Sequence, residues 1–314
     1  MKKLTYLIIS VVFAFSCNSN IKDTETKIVL EKGTEVLEEN TKQEGQEVLP
    51  TEKKVALLGF WVGYFKKDAQ KDGTEKEVYV DQGFYWNRDN KINISIDTIT
   101  DSLVIGHSVV AGNDRPFKGT LQNGIFEVQE PGDDKYDGKF KFEISENKLI
   151  GTWTAYKNID IKHRTYELKK MNFSYQPNIL LEEVTEYVDW NALNEEKTIE
   201  GYQDGEFGNW IRKEFATATE LIYSINASNT LLNKEDVENL KKGDITIIRN
   251  TIYARHGYSF KNRPLRVFFD AQSWYIPVHT DIKADFTEIE KTNIKLLLRY
   301  EKNAVEYYDH FGRG

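Results

Sequence analysis

The chain has 314 residues, 39% hydrophobic and 13% aromatic, enough to bury two modest cores. Its formal net charge is -8 and no long basic run occurs, so nucleic acid is not an expected partner. A single cysteine, Cys17, excludes an intrachain disulfide, and the five histidines lack HxxxH and HExxH spacing, so neither a metal nor a cofactor is expected.

At the N-terminus, Met1-Lys2-Lys3 reads as a charged n-region and the stretch from Leu4 to Phe15 as an apolar h-region. Ala14-Phe15-Ser16-Cys17 follows, and this arrangement resembles a bacterial lipoprotein signal (residues 1–17), with Phe15 standing where a small residue is commoner. The resemblance implies that Cys17 becomes the lipid-carrying first residue, with palmitate-like acyl chains as the membrane anchor and membrane as the first partner. The alternative is an ordinary secretory signal with an incidental cysteine. The apolar run is shorter than the ~20 residues a spanning helix needs. Residues 18–54, rich in Glu, Lys and Thr and free of aromatics, are expected to form a disordered acidic tether.

Residues 55–171 read as β throughout. Alternation is clear from Lys91 to Ile96 and from Lys139 to Ile144, and turns are marked by Asp72-Gly73, Asn123-Gly124 and Asp137-Gly138. Eight or nine short antiparallel strands predict a closed barrel, since closure removes exposed edges. Gly59-Phe60-Trp61 on the first strand, with Arg164 near the end of the last, resembles the lipocalin-type barrel. Such a barrel is filled by its own side chains or holds one small molecule. Tyr64, Tyr79, Phe84, Tyr85 and Trp86 are thus either core or pocket lining. The acidic run from Glu130 to Asp137 lacks the ligand spacing of a Ca²⁺ loop and is expected to be a solvated turn.

Residues 172–230 are expected to be a helical bridge, with one helix from Ile179 to Trp190, a loop from Gly201 to Gly208 and another helix from Trp210 to Ile225. Residues 231–314 are expected to form an all-α module, so the fold class is α+β and multidomain. In the module, Ile245, Ile248 and Ile252 form an apolar stripe that reaches His256 four residues on, flanked by Arg249 and Arg255. Asp244 is an expected N-cap, Gly257 an expected C′ residue, and Pro264 opens a second helix that leads to Trp274-Tyr275. Thr287 and Glu290 make a capping box for the last helix.

Arg249-Asn250-Thr251-Ile252-Tyr253-Ala254-Arg255-His256-Gly257, with the entry helix, the aromatic segment and the closing helix around it, resembles the YARHG domain over residues 231–303. That resemblance implies an extracytoplasmic setting and supplies no reaction. The residues singled out as a binding or structural motif are Arg249, Asn250, Tyr253, Arg255, His256, Trp274 and Tyr275. Two readings of the motif stand side by side. As structure, Arg255 pairs with Glu290 or Asp270 while His256 caps a helix C-terminus. As a site, His256 is an acid/base or an anion contact beside Arg255, Arg249 and Tyr253. No nucleophile–base–orienter set is evident, so no catalytic residue is assigned.

The functional expectation is a cell-envelope lipoprotein facing the periplasm or the cell exterior, acting as a non-catalytic binding module for an envelope glycan or a protein partner. A barrel carrier of a small apolar ligand and an envelope hydrolase using His256 are the alternatives.

Overall fold

A computed structural model describes residues 50–73, 78–79, 85–101, 103–203, 205–283 and 285–304. The expected signal, Cys17 and the tether up to residue 49 lie outside the described residues, as do the side chains of Tyr79, Phe84 and Tyr85. The last four positions of the expected tether, residues 51–54, are helical. They begin helix α1 (Thr51–Leu57), whose end is tied down where the Trp61 indole donates to the Leu57 carbonyl at 3.0 Å.

Eight strands close into an up-and-down antiparallel barrel. They are β1 (Gly59–Lys67), β4 (Asn90–Ile99), β5 (Val104–Val110), β6 (Asn113–Gln122), β7 (Ile125–Gln129), β8 (Gly138–Ser145), β9 (Lys148–Ala155) and β10 (His163–Met171). A four-residue helix, α2 (Ala69–Asp72), and the two-residue pair β2 (Val78–Tyr79) and β3 (Tyr85–Trp86) lie between β1 and β4. Closure is made by β1, which pairs with β10 on one side and β4 on the other. The period-2 pattern sets which side chains enter: Phe140 and Phe142 of β8, Leu149 and Trp153 of β9, and Tyr166 and Leu168 of β10 are all buried. Their rings touch, with Phe65 5.4 Å from Trp153 and Phe126 stacked on Phe142 at 4.7 Å. This is the architecture that the lipocalin-type resemblance implies. Its two signature residues do not meet, however. Trp61 is covered by Lys170, whereas Arg164 lies over the Phe65 ring at 5.0 Å.

The bridge differs from expectation. Residues 172–187 are irregular, and residues 188–217 form a long hairpin of β11 (Val188–Gln203) and β12 (Glu206–Thr217) in place of two helices. Gln203 pairs with Glu206 across Asp204-Gly205, a two-residue Asp-Gly hairpin signal, and Gly205 adopts the φ of +86° such a turn needs. Register shifts between Asp189 and Glu195 break the alternation by which a strand is recognised, and the surviving apolar spacing imitates a helix. The C-terminal region is therefore helical only after this hairpin.

That region contains α3 (Lys234–Val237), α4 (Lys242–Arg255), α5 (Arg263–Asp270) and α6 (Glu288–Asn303). Ile245, Ile248 and Ile252 of α4 are buried against Phe268 and Phe269 of α5 and Leu297 of α6, in a second core. Asp244 is not the N-cap; it sits at the third helical position and accepts the Lys241 N–H at 3.0 Å. The Thr287–Glu290 capping box forms as expected. The helical region packs on the barrel through β4. Lys91 N–H donates to Asp270 Oδ2 at 2.7 Å, Lys91 Nζ to the Gln272 carbonyl at 2.7 Å, and the Tyr64 hydroxyl to the Asp270 carbonyl at 2.8 Å. Val62 joins Ile276 and Val278 in a small apolar seam beside them.

Candidate functional site

Helix α4 ends in a Schellman motif: Tyr258 N–H donates to the Tyr253 carbonyl at 3.1 Å and Gly257 N–H to the Ala254 carbonyl at 2.9 Å. Gly257 takes φ +76°, and a Cβ there would lie 2.9 Å from the Phe173 ring. This tight ending turns the His256 side chain inward, where it is 6% exposed. His256 Nε2 lies 2.8 Å from Glu290 Oε2, and Glu290 is fully buried. Tyr175 stacks on the imidazole at 4.3 Å and donates its hydroxyl to Glu290 Oε1 at 2.9 Å, while Phe286 meets the ring edge-on at 5.2 Å. Burial opposes ionisation of Glu290, but hydrogen bonds from His256, the Thr287 N–H and Ser228 outweigh it and hold the carboxyl below its ordinary range. The same surroundings push the Tyr175 phenol up to about 12, first through burial and then through the bond to Glu290.

Arg255 does not pair with a carboxylate, contrary to expectation. Its Nε and Nη2 donate to the Ile179 carbonyl at 3.0 and 2.6 Å, and its Nη1 to Ser228 Oγ at 3.0 Å. Burial pulls this guanidinium down to about 10. Arg249 instead makes a two-pronged bond to Glu301, at 2.7 and 2.9 Å, and its guanidinium lies 5.9 Å from the Tyr253 ring. Asn250 donates to the Thr246 carbonyl at 2.7 Å. Asn293 of α6 accepts from the Leu232 N–H and donates to the Ala227 and Thr230 carbonyls, and does not serve these arginines. Tyr275 is 1% exposed and donates to the Tyr258 carbonyl at 2.7 Å; Trp274 is half-buried with its indole N–H enclosed and unpartnered.

The motif therefore contains His256 beside an acid and a nearby hydroxyl, but in an order that no acyl transfer uses. Ser228 contacts Arg255 and Glu290, whereas His256 spends Nε2 on Glu290. Both the imidazole and the carboxylate are closed off from solvent. The sequence signalled His256 and Glu290 but gave no sign of Tyr175 or Ser228, which arrive from the irregular segment and from a loop.

An open concavity lies elsewhere. One end of the barrel carries a cavity of about 600 Å³, with Phe65, Phe140 and Trp153 at its base and Arg88, Arg164 and Arg266 on its walls. Of the aromatics expected as core or pocket lining, Trp86 lines it; Tyr64 does not, because it faces α5. The acidic run next to it is not a solvated turn at its two ends, since Glu130 and Asp137 are buried. Glu130 accepts from Ser108 at 3.1 Å, Gly138 N–H at 2.7 Å and Trp153 Nε1 at 3.2 Å, and burial pushes its carboxyl up to about 7. Asp137 takes the Gly132 and Asp134 N–H groups and Arg115. These carboxylates are committed to the protein's own donors. Among the described residues no cluster of His, Cys, Asp and Glu suits a metal ion.

An eight-stranded barrel with an open polar mouth, joined to a helical region whose charged motif is closed on itself, fits a non-catalytic binding role. Residues 219–302 match the YARHG domain, about a quarter of the chain, with the match starting before the expected boundary at 231. The chain matches no curated protein and no solved structure.

Proposed function

We propose that this chain is a non-catalytic binding protein of the cell envelope, anchored to a membrane by lipid on Cys17, in which the YARHG domain buttresses the barrel and the barrel mouth takes the ligand. The observation carrying this reading is the contrast between the two polar clusters. The Arg255–His256–Glu290 set is buried and saturated by internal partners, whereas the polar groups around Arg88, Arg164 and Arg266 face a cavity. The hydrolase reading is weakened by the same contrast. A carrier holding an apolar ligand inside the barrel is less well supported, because aromatic rings in mutual contact occupy the interior and the cavity at the mouth is walled by cations.

Two measurements test this reading. Detergent-phase partitioning and mass spectrometry of the N-terminal peptide should find acylated Cys17; an unmodified, water-partitioning protein would remove the anchor. Hydrogen exchange with and without a small-molecule extract of bacterial envelopes should protect residues 86–90 and 108–115 at the mouth. Protection confined to residues 249–257 would place the ligand at the motif instead.

A further inference from the structure

The barrel mouth carries a charge opposite to that of the protein as a whole. The chain's net charge is -8, yet among the described residues lining the cavity seven are Arg or Lys and two are acids. Three guanidiniums form its wall, and of the three only Arg88 makes an ion pair among the described residues; Asp89 and Asp72 attract Arg164, and Asp270 attracts Arg266, from farther off. Arg164 is held by the Phe65 and Arg88 carbonyls, at 2.6 and 3.2 Å. Burial, with Arg88 and Arg266 as positive neighbours, pulls it down to about 10 against the pull of Asp89 and Asp72. Arg266 is 7% exposed; its Nη1 reaches the Lys261 carbonyl at 3.2 Å, and its Nε is enclosed without any partner. The side-chain oxygen of Asn90, also on the cavity wall, is enclosed without a partner too. Arg88 has one acidic contact, the exposed Asp160 at 3.5 Å.

Gathering like charges in a half-buried space costs free energy unless an anion compensates them. The backbone adds a second sign. Arg88 sits at φ +66°, a left-handed conformation that a long side chain rarely adopts. Such strain concentrates at ligand sites. Aromatic faces lie beside the charges: the Arg266 guanidinium is 5.5 Å from the Trp86 ring and that of Arg164 is 5.0 Å from Phe65. A cavity of about 600 Å³ is the size of a small-molecule site.

We propose that this cavity binds a small organic oxyanion, a phosphate or carboxylate carried on an aromatic or apolar body, clamped by Arg88, Arg164 and Arg266 and steered in by Lys261 and Arg263. Planar guanidinium forks suit either oxyanion, and the ring surfaces take the body. Arg115, already held by Asp134 and Asp137, contributes field only. Lys261, Arg263 and Arg266 come from the YARHG domain, so that domain completes the site although its name-giving motif takes no part. This inference rests on the barrel mouth being the binding surface and not on the anchor at Cys17.

The test is calorimetric titration of the full chain, in dodecyl maltoside at low salt, with 1-naphthyl phosphate, 1-naphthoate and 1-naphthylmethylammonium. At least one anion should bind, more weakly as salt rises, and the ammonium should not. The stronger anion tells phosphate from carboxylate. Arg88→Gly relieves the left-handed strain, so it should melt no lower than the parent while weakening the anion by about tenfold. Arg263→Gln, an exposed change, should slow capture and flatten the salt dependence. Binding of the ammonium as tightly as the anions, no binding of either anion, or an unchanged affinity in Arg88→Gly would each overturn the proposal. Exchange protection at the mouth by envelope extract, without affinity for these anions, would remove the ligand class and leave the binding reading standing.

Discussion

Gly257 carries the turn that brings His256 inward, and its two constraints are independent. The φ of +76° penalises any side chain, and a Cβ would press on the Phe173 ring. Gly257→Ala should therefore lower stability by about 1–3 kcal/mol, read as a drop in melting temperature of several degrees. A variant melting with the parent would mean that the turn can relax. This residue was legible in the sequence because a glycine after an apolar stripe is a C-cap signal, and His256 because it continues the stripe. The partners were not legible. Tyr175 and Ser228 lie 81 and 28 residues upstream of His256, and nothing local distinguishes them from other polar residues. Arg255 was paired in expectation with a carboxylate because buried charge usually finds one, yet carbonyl and hydroxyl oxygens serve it here.

Strands of the barrel were legible as elements because one face is buried and the other wet, which writes period two into the sequence. The hairpin β11–β12 has no such contrast. Ile199, Tyr202, Phe207 and Ile211 are all exposed, and a bulge shifts the register, so the alternation fails and helical spacing appears by accident. The Asp204-Gly205 turn was the signal that should have decided it. Tyr202 and Phe207 at its tip, 78% and 65% exposed, touch each other at 5.1 Å. Replacing both with Ser should move the melting temperature by no more than about 2–4 °C, since each surface change away from a core stays within about 0.5 kcal/mol. A larger fall would show that the tip packs on the rest of the protein.

Barrel and YARHG domain share an interface that no local pattern announces. Asp270 is its pivot: fully enclosed, it accepts the Lys91 N–H, and burial pushes its carboxyl up to about 7 despite that bond and the nearby charges of Lys91 and Arg266. A carboxyl raised in the folded state holds its proton there while the unfolded chain has lost it. Its contribution is therefore complete below about pH 4 and fades as pH rises through about 7. The parent should melt a few degrees lower at pH 7.5 than at pH 5. Asp270→Asn, which keeps an acceptor for Lys91, should shrink that difference, leaving the share due to Glu130. An undiminished difference would show that Asp270 is ionised when folded.

The measurement that bears most directly on the division of labour is a paired one on His256→Ala: its melting temperature and its affinity for the naphthyl anion that binds the parent. Loss of the Glu290 bond and the Tyr175 stack from a buried site should cost about 3 kcal/mol, or about 6–12 °C, with affinity at the barrel mouth unchanged. A variant that melts like the parent but no longer binds would contradict the account and make the motif the site.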